Sequence, residues 1–290
     1  DRRAAIYGLL GPVPETLPVR VSLRLPGAEP TVYRYRVVRD RVLTPFLLPW
    51  TVTNSWLHGG WVQGDAVARC DVTVGYNHGS VLRRTERIKA DAPPLQFAGA
   101  ATLPAGLLLV NPFERATLDS VSIELTVERR NAQAFVTSIR ADRPRLRAGE
   151  ELRVTVTLEP WRAAREEREF VLRARPEWAG QRLQIVGGSA GDFMDWDRDR
   201  AAGKYSPRNL RQLVELVETV PDDGSLIVRV LSNEPGNLVD GREVASLPPS
   251  LAAPGTASGG RAIIRRTAGQ LLLERTERTP WVLSGRETVE

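Results

Sequence analysis

The chain contains two histidines, His58 and His78, so any mechanism that needs an imidazole base must use one of them. Two serines lie in glycine-rich surroundings. Gly187-Gly188-Ser189-Ala190-Gly191 has the spacing of a nucleophile elbow and follows the strand-like run Arg182 to Val186. An elbow needs a helix directly after its serine, and the histidine that serves it comes later in the chain. The next residues here, Asp192-Phe193-Met194-Asp195-Trp196-Asp197, have no apolar helical face, and no histidine lies beyond position 78. Ser258, in Ala257-Ser258-Gly259-Gly260, does follow the histidines, but Thr256 and Ala257 stand where such a protease serine is normally preceded by Gly and Asp. Ser258 therefore reads as part of a loop tip. Walker, dinucleotide-binding and paired zinc-ligand spacings are absent from the sequence. The expectation is a chain that is not an enzyme, with no catalytic residue, no cofactor and no metal.

Two further clusters bear on binding. Asp192, Asp195, Asp197 and Asp199 have calcium-like spacing, with Asp195, Asp197 and Asp199 at loop positions one, three and five. Position six is then Arg200 instead of Gly, and position twelve is Ser206 instead of Glu, so both decisive positions fail. A solvated loop leading into a helix capped by Ser206 is expected. The second cluster is aromatic: Trp50, Trp56, His58, Trp61, Tyr76 and His78 crowd into fewer than thirty residues, with Asn54, Asn77 and several glycines between them. Aromatic faces beside short polar donors suit a carbohydrate- or peptide-binding platform. The same residues also suit a β core whose glycines mark bulges, and both readings stay open.

The elements that must position these residues are mostly strands. Leu17 to Leu25, Thr31 to Val38, Asp65 to Val74, Leu118 to Arg129, Glu151 to Leu158 and Arg168 to Arg175 alternate or run with β-branched residues, punctuated by Pro and Gly. One helix stands out, over 207–220, with Leu210, Leu213, Val214, Val217 and Val220 at helical spacing. A buried strand from Leu226 to Leu231 follows it, then a long extended loop over 233–260. Short strands at Arg261 to Thr267, Gln270 to Arg275 and Trp281 to Leu283 end the chain. At 290 residues, two domains are expected: an N-terminal β-rich domain, 1–135, and an Ig-like β-sandwich domain, 136–290. The predicted class is mainly β, two β-sandwich-like (Ig-like) domains with one helix in the second.

Charge narrows the partners. Residues 1–131 carry 16 basic and 12 acidic side chains, and the remainder 24 and 23, so neither part sets up a strong field. The arginines alternate with apolar residues, as in Tyr33-Arg34-Tyr35-Arg36, which marks solvent faces of strands and not a nucleic-acid footprint. The lone Cys70 cannot form an internal disulfide and reads as a small core residue. The longest apolar run, Phe97 to Val110, is broken by Pro104 and glycines, so no membrane span is expected. The opening Asp1-Arg2-Arg3, without an initiator methionine, suggests a processed product or an excised piece of a longer protein.

The texture of the C-terminal third carries a resemblance. Asn209-Leu210-Arg211-Gln212-Leu213, Pro221-Asp222-Asp223-Gly224-Ser225-Leu226, Glu234-Pro235-Gly236, Gly241-Arg242-Glu243 and Leu247-Pro248-Pro249-Ser250 follow one another. Together they resemble the region downstream of the catalytic module in bacterial envelope proteins with a stage IV sporulation protein B-type serine peptidase domain. The opening Asp1-Arg2-Arg3-Ala4-Ala5-Ile6, with Gly8, Gly11, Pro14 and Pro18-Val19-Arg20-Val21, resembles the point where that region begins. That family's glycine-flanked nucleophile segment has no counterpart here, so no catalytic residue carries over. The resemblance implies an extracytoplasmic accessory module in the periplasm or cell envelope, whose partner is a protein or the missing peptidase domain. The expected function is thus non-catalytic binding or scaffolding within a larger protein; the alternative is a carbohydrate- or peptide-binding domain using the Trp50–His78 cluster.

Overall fold

A computed structural model describes residues 13–60, 65–89, 94–244 and 264–290, and the structure is mainly β with several sheets. Leu17, Val19, Val21 and Leu23 bury one face of β1 (Thr16–Arg24), and Val121, Ile123, Leu125 and Val127 do the same for β5 (Leu118–Glu128). These strands run parallel, Val19 opposite Val121, at the centre of a five-stranded sheet. Its order is β2 (Thr31–Val38), β1, β5, β3 (Val67–Tyr76), β4 (Ser80–Lys89), with the remaining neighbours antiparallel. Such an order requires crossovers, and two helices supply them: α1 (Leu43–Gly59) leads from β2 to β3, and α2 (Pro94–Val110) from β4 to β5. Leu48, Val52 and Trp56 of α1 and Phe97, Ala101 and Leu108 of α2 pack on the buried side of the sheet. The other side is polar, with Arg20 on Glu124 at 3.1 Å and Arg69 on Asp71 at 2.9 Å.

The N-terminal part is therefore one sheet covered on one side by two helices, where packed sheets without a helix were expected. Neither helix has a polar face to set against its apolar one, and Pro49 and Pro104 each remove an N–H from the helix interior. The 3.6-residue contrast that identifies a surface helix is absent from both.

Beyond Glu128, β6 (Gln133–Ala141), β7 (Glu151–Pro160) and β8 (Glu166–Arg173) form a sheet with a late strand, β15 (Val282–Ser284), in the order β15-β6-β7-β8. A second sheet runs β14 (Gln270–Arg278), β10 (Ser225–Ser232), β9 (Leu183–Ser189), β16 (Arg286–Val289). Val136, Val154, Val156 and Phe170 from the first sheet share one core with Ile185, Leu226, Val228 and Leu273 from the second. Gly187 lets these layers close, since a Cβ there would lie 3.0 Å from Ile139 Cδ1, and Gly188 lets β16 pair closely with β9, since a Cβ there would lie 3.0 Å from Arg286 Cβ. A small third sheet, β12 (Arg242–Val244), β11 (Gly236–Val239), β13 (Ile264–Thr267), occupies part of the expected 233–260 loop; positions 245–263 lie outside the described residues. Strand β16 was not expected.

Two helices, not one, interrupt these strands: α3 (Ala190–Arg200) and α4 (Leu210–Thr219). α4 is the helix expected over 207–220, but it starts later. Its cap is Asn209, whose Oδ1 accepts from Gln212 N at 2.8 Å, and not Ser206. Leu210 and Leu213 join the core of the N-terminal sheet and not that of the second half, and Arg84 on β4 donates to the carbonyls of Val217 and Val220.

Candidate functional site

The five described members of the aromatic and histidine cluster, Trp50, Trp56, His58, Tyr76 and His78, do not form one site. Trp56 is a core residue on α1, its ring 4.6 Å from that of Phe97. Tyr76 packs at the edge of the same core, at the far end of β3 where it pairs with Leu118. His78 is the middle residue of the β3–β4 turn, exposed, with φ near 56° and its backbone N–H donating to Asp119 at 2.7 Å. His58 ends α1 beside Gly59, where an added Cβ would lie 2.6 Å from Leu23 Cδ2. Leu23 is level with Leu125, seven residues along β5 from Leu118, so His58 and His78 sit at ends of the sheet roughly 23 Å apart. Trp61 lies outside the described residues. What remains is a shallow cavity of about 470 Å³ where His58 and Asn54 meet Tyr33, Arg34 and Tyr35.

Trp50 faces a different surface. It is 50% exposed and Phe46 70%, and Leu43, Leu57, Leu103 and Val110 are each more than half exposed. The directions of the strands they connect make α1 and α2 antiparallel, and the Trp56–Phe97 contact sets their register, so Trp50 comes level with Leu103 and Leu43 with Val110. The outer side of the α1–α2 pair is thus a continuous apolar face. Neither helix contains an Asp, Glu, Lys or Arg. With Val42, Leu47 and Leu95 included, the exposed apolar side chains amount to roughly 700 Å², taking about 200 Å² per aromatic and about 120 Å² per aliphatic side chain. Patches on ordinary monomers reach about 300–600 Å². The sequence held a signal that periodicity overlooks: positions 42–64 and 92–113 are charge-free runs of 23 and 22 residues. Among the described residues no helix is long and apolar enough to cross a membrane.

The aspartate run is helix, not solvated loop. Asp195 and Asp199 are exposed, while Asp197 is fully buried and Arg200 nearly so. Asp197 Oδ1 accepts from Arg200 at 2.7 and 2.9 Å; Oδ2 accepts from Lys204, Tyr205 and Arg229, each at 2.9 Å. Glu243 takes further bonds from Arg200 and Lys204, and Glu274 one from Arg229. Burial pushes the Asp197 carboxyl up, but the cations of Arg229, Lys204 and Arg200 outweigh it and hold the group at about 2. Burial likewise opposes Glu243, and Arg200 and Lys204 again prevail and lower it. Five donors around one carboxylate leave a surround that repels a metal cation. The network ties α3, the segment after it, β10, β12 and β14 together. Clefts of about 670 and 720 Å³ flank Lys204-Tyr205-Ser206.

Ser189 stands where a strand passes into a helix, as an elbow requires, because α3 does follow it directly. Its role there is capping. Ser189 is 2% exposed, with φ −75° and ψ 159°; its Oγ accepts from Asp192 N at 3.1 Å and lies 2.5 Å from Asp192 Oδ2. Both histidines belong to α1 and the β3–β4 turn, on the other sheet. Ser258 lies outside the described residues. No family model matches the chain, and no curated protein or solved structure matches it.

Proposed function

We propose that this chain is a non-catalytic docking and scaffolding module within a larger extracytoplasmic protein, accessory to a peptidase domain and built in its second half as an Ig-like β-sandwich. The observation that carries the docking reading is the outer face of α1 and α2. A helix on a water-exposed surface normally turns charged residues outward, and these two turn out Phe46, Trp50, Leu57, Leu103 and Val110. A partner protein, or another domain of the parent chain, gains about 25 cal/mol for each Å² of that face it covers. The envelope setting and the peptidase partner rest on the family resemblance of the C-terminal third.

Docking requires that the face contribute little to the fold itself. Phe46→Ser and Trp50→Ser, measured by urea denaturation at sub-micromolar concentration, should each change stability by less than about 1 kcal/mol. Losses above about 2 kcal/mol for both would make these rings part of the core and remove the docking surface.

A second reading, a carbohydrate- or peptide-binding groove, is favoured by the cavity at Tyr33, Tyr35, Asn54 and His58, where ring faces lie beside polar donors. Saturable binding of an oligosaccharide or aromatic peptide, lost in Tyr33→Ala, is its expected result. Flat titrations with both ligand classes would end it.

A further inference from the structure

We propose that the α1–α2 face joins two copies of this chain about a two-fold axis, a pairing that rests on reading this face as a docking surface. The area fits: roughly 700 Å² of apolar side chain per copy is close to the about 800 Å² per partner of stable interfaces. Charge fits as well. About a two-fold axis a patch meets its own image, so a charge near the axis would meet its like. α1 and α2 carry none.

Shape gives the third argument. Phe46 and Trp50 project from α1. On α2, Gly99 and Gly106 lie either side of Leu103, and a Cβ built on either glycine meets nothing within 4 Å. A two-fold axis parallel to the helices lays α1 of each copy over α2 of its mate, and with Trp50 level with Leu103 this sets Phe46 against the open backbone at Gly106. A lipid surface fits less well, because the ends of the helices carry both signs, Arg39, Asp40 and Arg41 before α1 and Glu114 with Arg115 after α2. A basic rim, which strengthens binding to anionic bilayers, is missing there.

Sedimentation equilibrium tests the pairing. The chain should dimerise with a Kd of about micromolar or tighter. Gly106→Leu occupies the space opposite Phe46, and because a Cβ there meets nothing in its own copy, circular dichroism should stay native and melting should not fall, while the dimer weakens by about tenfold or more. A wild-type chain that stays monomeric up to about 100 μM, or a Gly106→Leu variant that dimerises with unchanged Kd, would overturn the inference. In that event, acrylamide quenching of the wild type against Trp50→Phe separates the two claims. An accessible Trp50 keeps the docking face and assigns it another partner, and a shielded one removes both. Binding of the monomer to phosphatidylglycerol–phosphatidylcholine vesicles, abolished by Phe46→Ser, would assign the face to a membrane surface instead.

Discussion

Replacing Asp197 with Asn keeps the size of the side chain and one acceptor but removes one negative charge from among Arg200, Lys204 and Arg229. In the native network three cations face three carboxylates, Asp197, Glu243 and Glu274, so the variant leaves one cation uncompensated in a buried setting. Breaking a buried pair in this way costs about 3–5 kcal/mol. The pH dependence has a definite sign. The Asp197 carboxyl falls from an ordinary 3.8 to about 2 in the fold, a drop of about 1.8, which corresponds to about 2 kcal/mol. Because the folded value is the lower one, that stabilisation is fully present above about pH 5 and is lost progressively as pH falls from there through 2. Glu86 and Asp223, which burial raises, act in the opposite direction, but they are present in both proteins and cancel in the difference. Urea denaturation of wild type and Asp197→Asn at pH 7, 5, 4 and 3 should show a gap of several kcal/mol that narrows only at the acid end. A gap below about 1 kcal/mol at pH 7, or one that stays flat down to pH 3, would refute the reasoning.

Asn209→Ala should cost about 1 kcal/mol, as loss of a helix cap does, and Ser206→Ala less than about 0.5 kcal/mol, since Asn209 and not Ser206 caps α4; denaturation midpoints at constant m-value check both. Trp56→Ala should cost about 3–5 kcal/mol because its ring fills the space between α1, α2 and the sheet, and an unchanged melting midpoint would contradict its place in the core.

The strands were legible because burial of one face writes a period of two into the chain: Val121, Ile123, Leu125 and Val127 point inward, and Ser122, Glu124, Thr126 and Glu128 point outward. The helices were less so. α4 could be read because its apolar residues recur against polar ones, but its start could not, since Ser206-Pro207 imitates a cap that Asn209 supplies. α3 places Asp197 and Arg200 on its buried side, so its inward face looks hydrophilic until the facing charges on β10 and β12 are known. α1 and α2 fail the opposite way, being uncharged on both faces, with Thr51, Thr53 and Ser55 buried on α1 beside Leu48, Val52 and Trp56. The same misleading proximity affected the aromatic cluster: fewer than thirty residues separate Trp50 from His78, yet α1 carries His58 to one end of the sheet and the β3–β4 turn carries His78 to the other. Closeness in sequence marked a crossover helix and a hairpin, not a shared site.

The most direct test of the docking claim is a photo-crosslink. With p-benzoyl-phenylalanine at position 46, irradiation of cells making the natural full-length protein should give a discrete product whose second peptide, identified by mass spectrometry, comes from another copy, another domain of the parent or a defined partner. The same probe at position 171, an exposed apolar site on β8 away from the face, should give none. Equal or absent crosslinking at the two positions would contradict the assignment of the α1–α2 face as a docking surface.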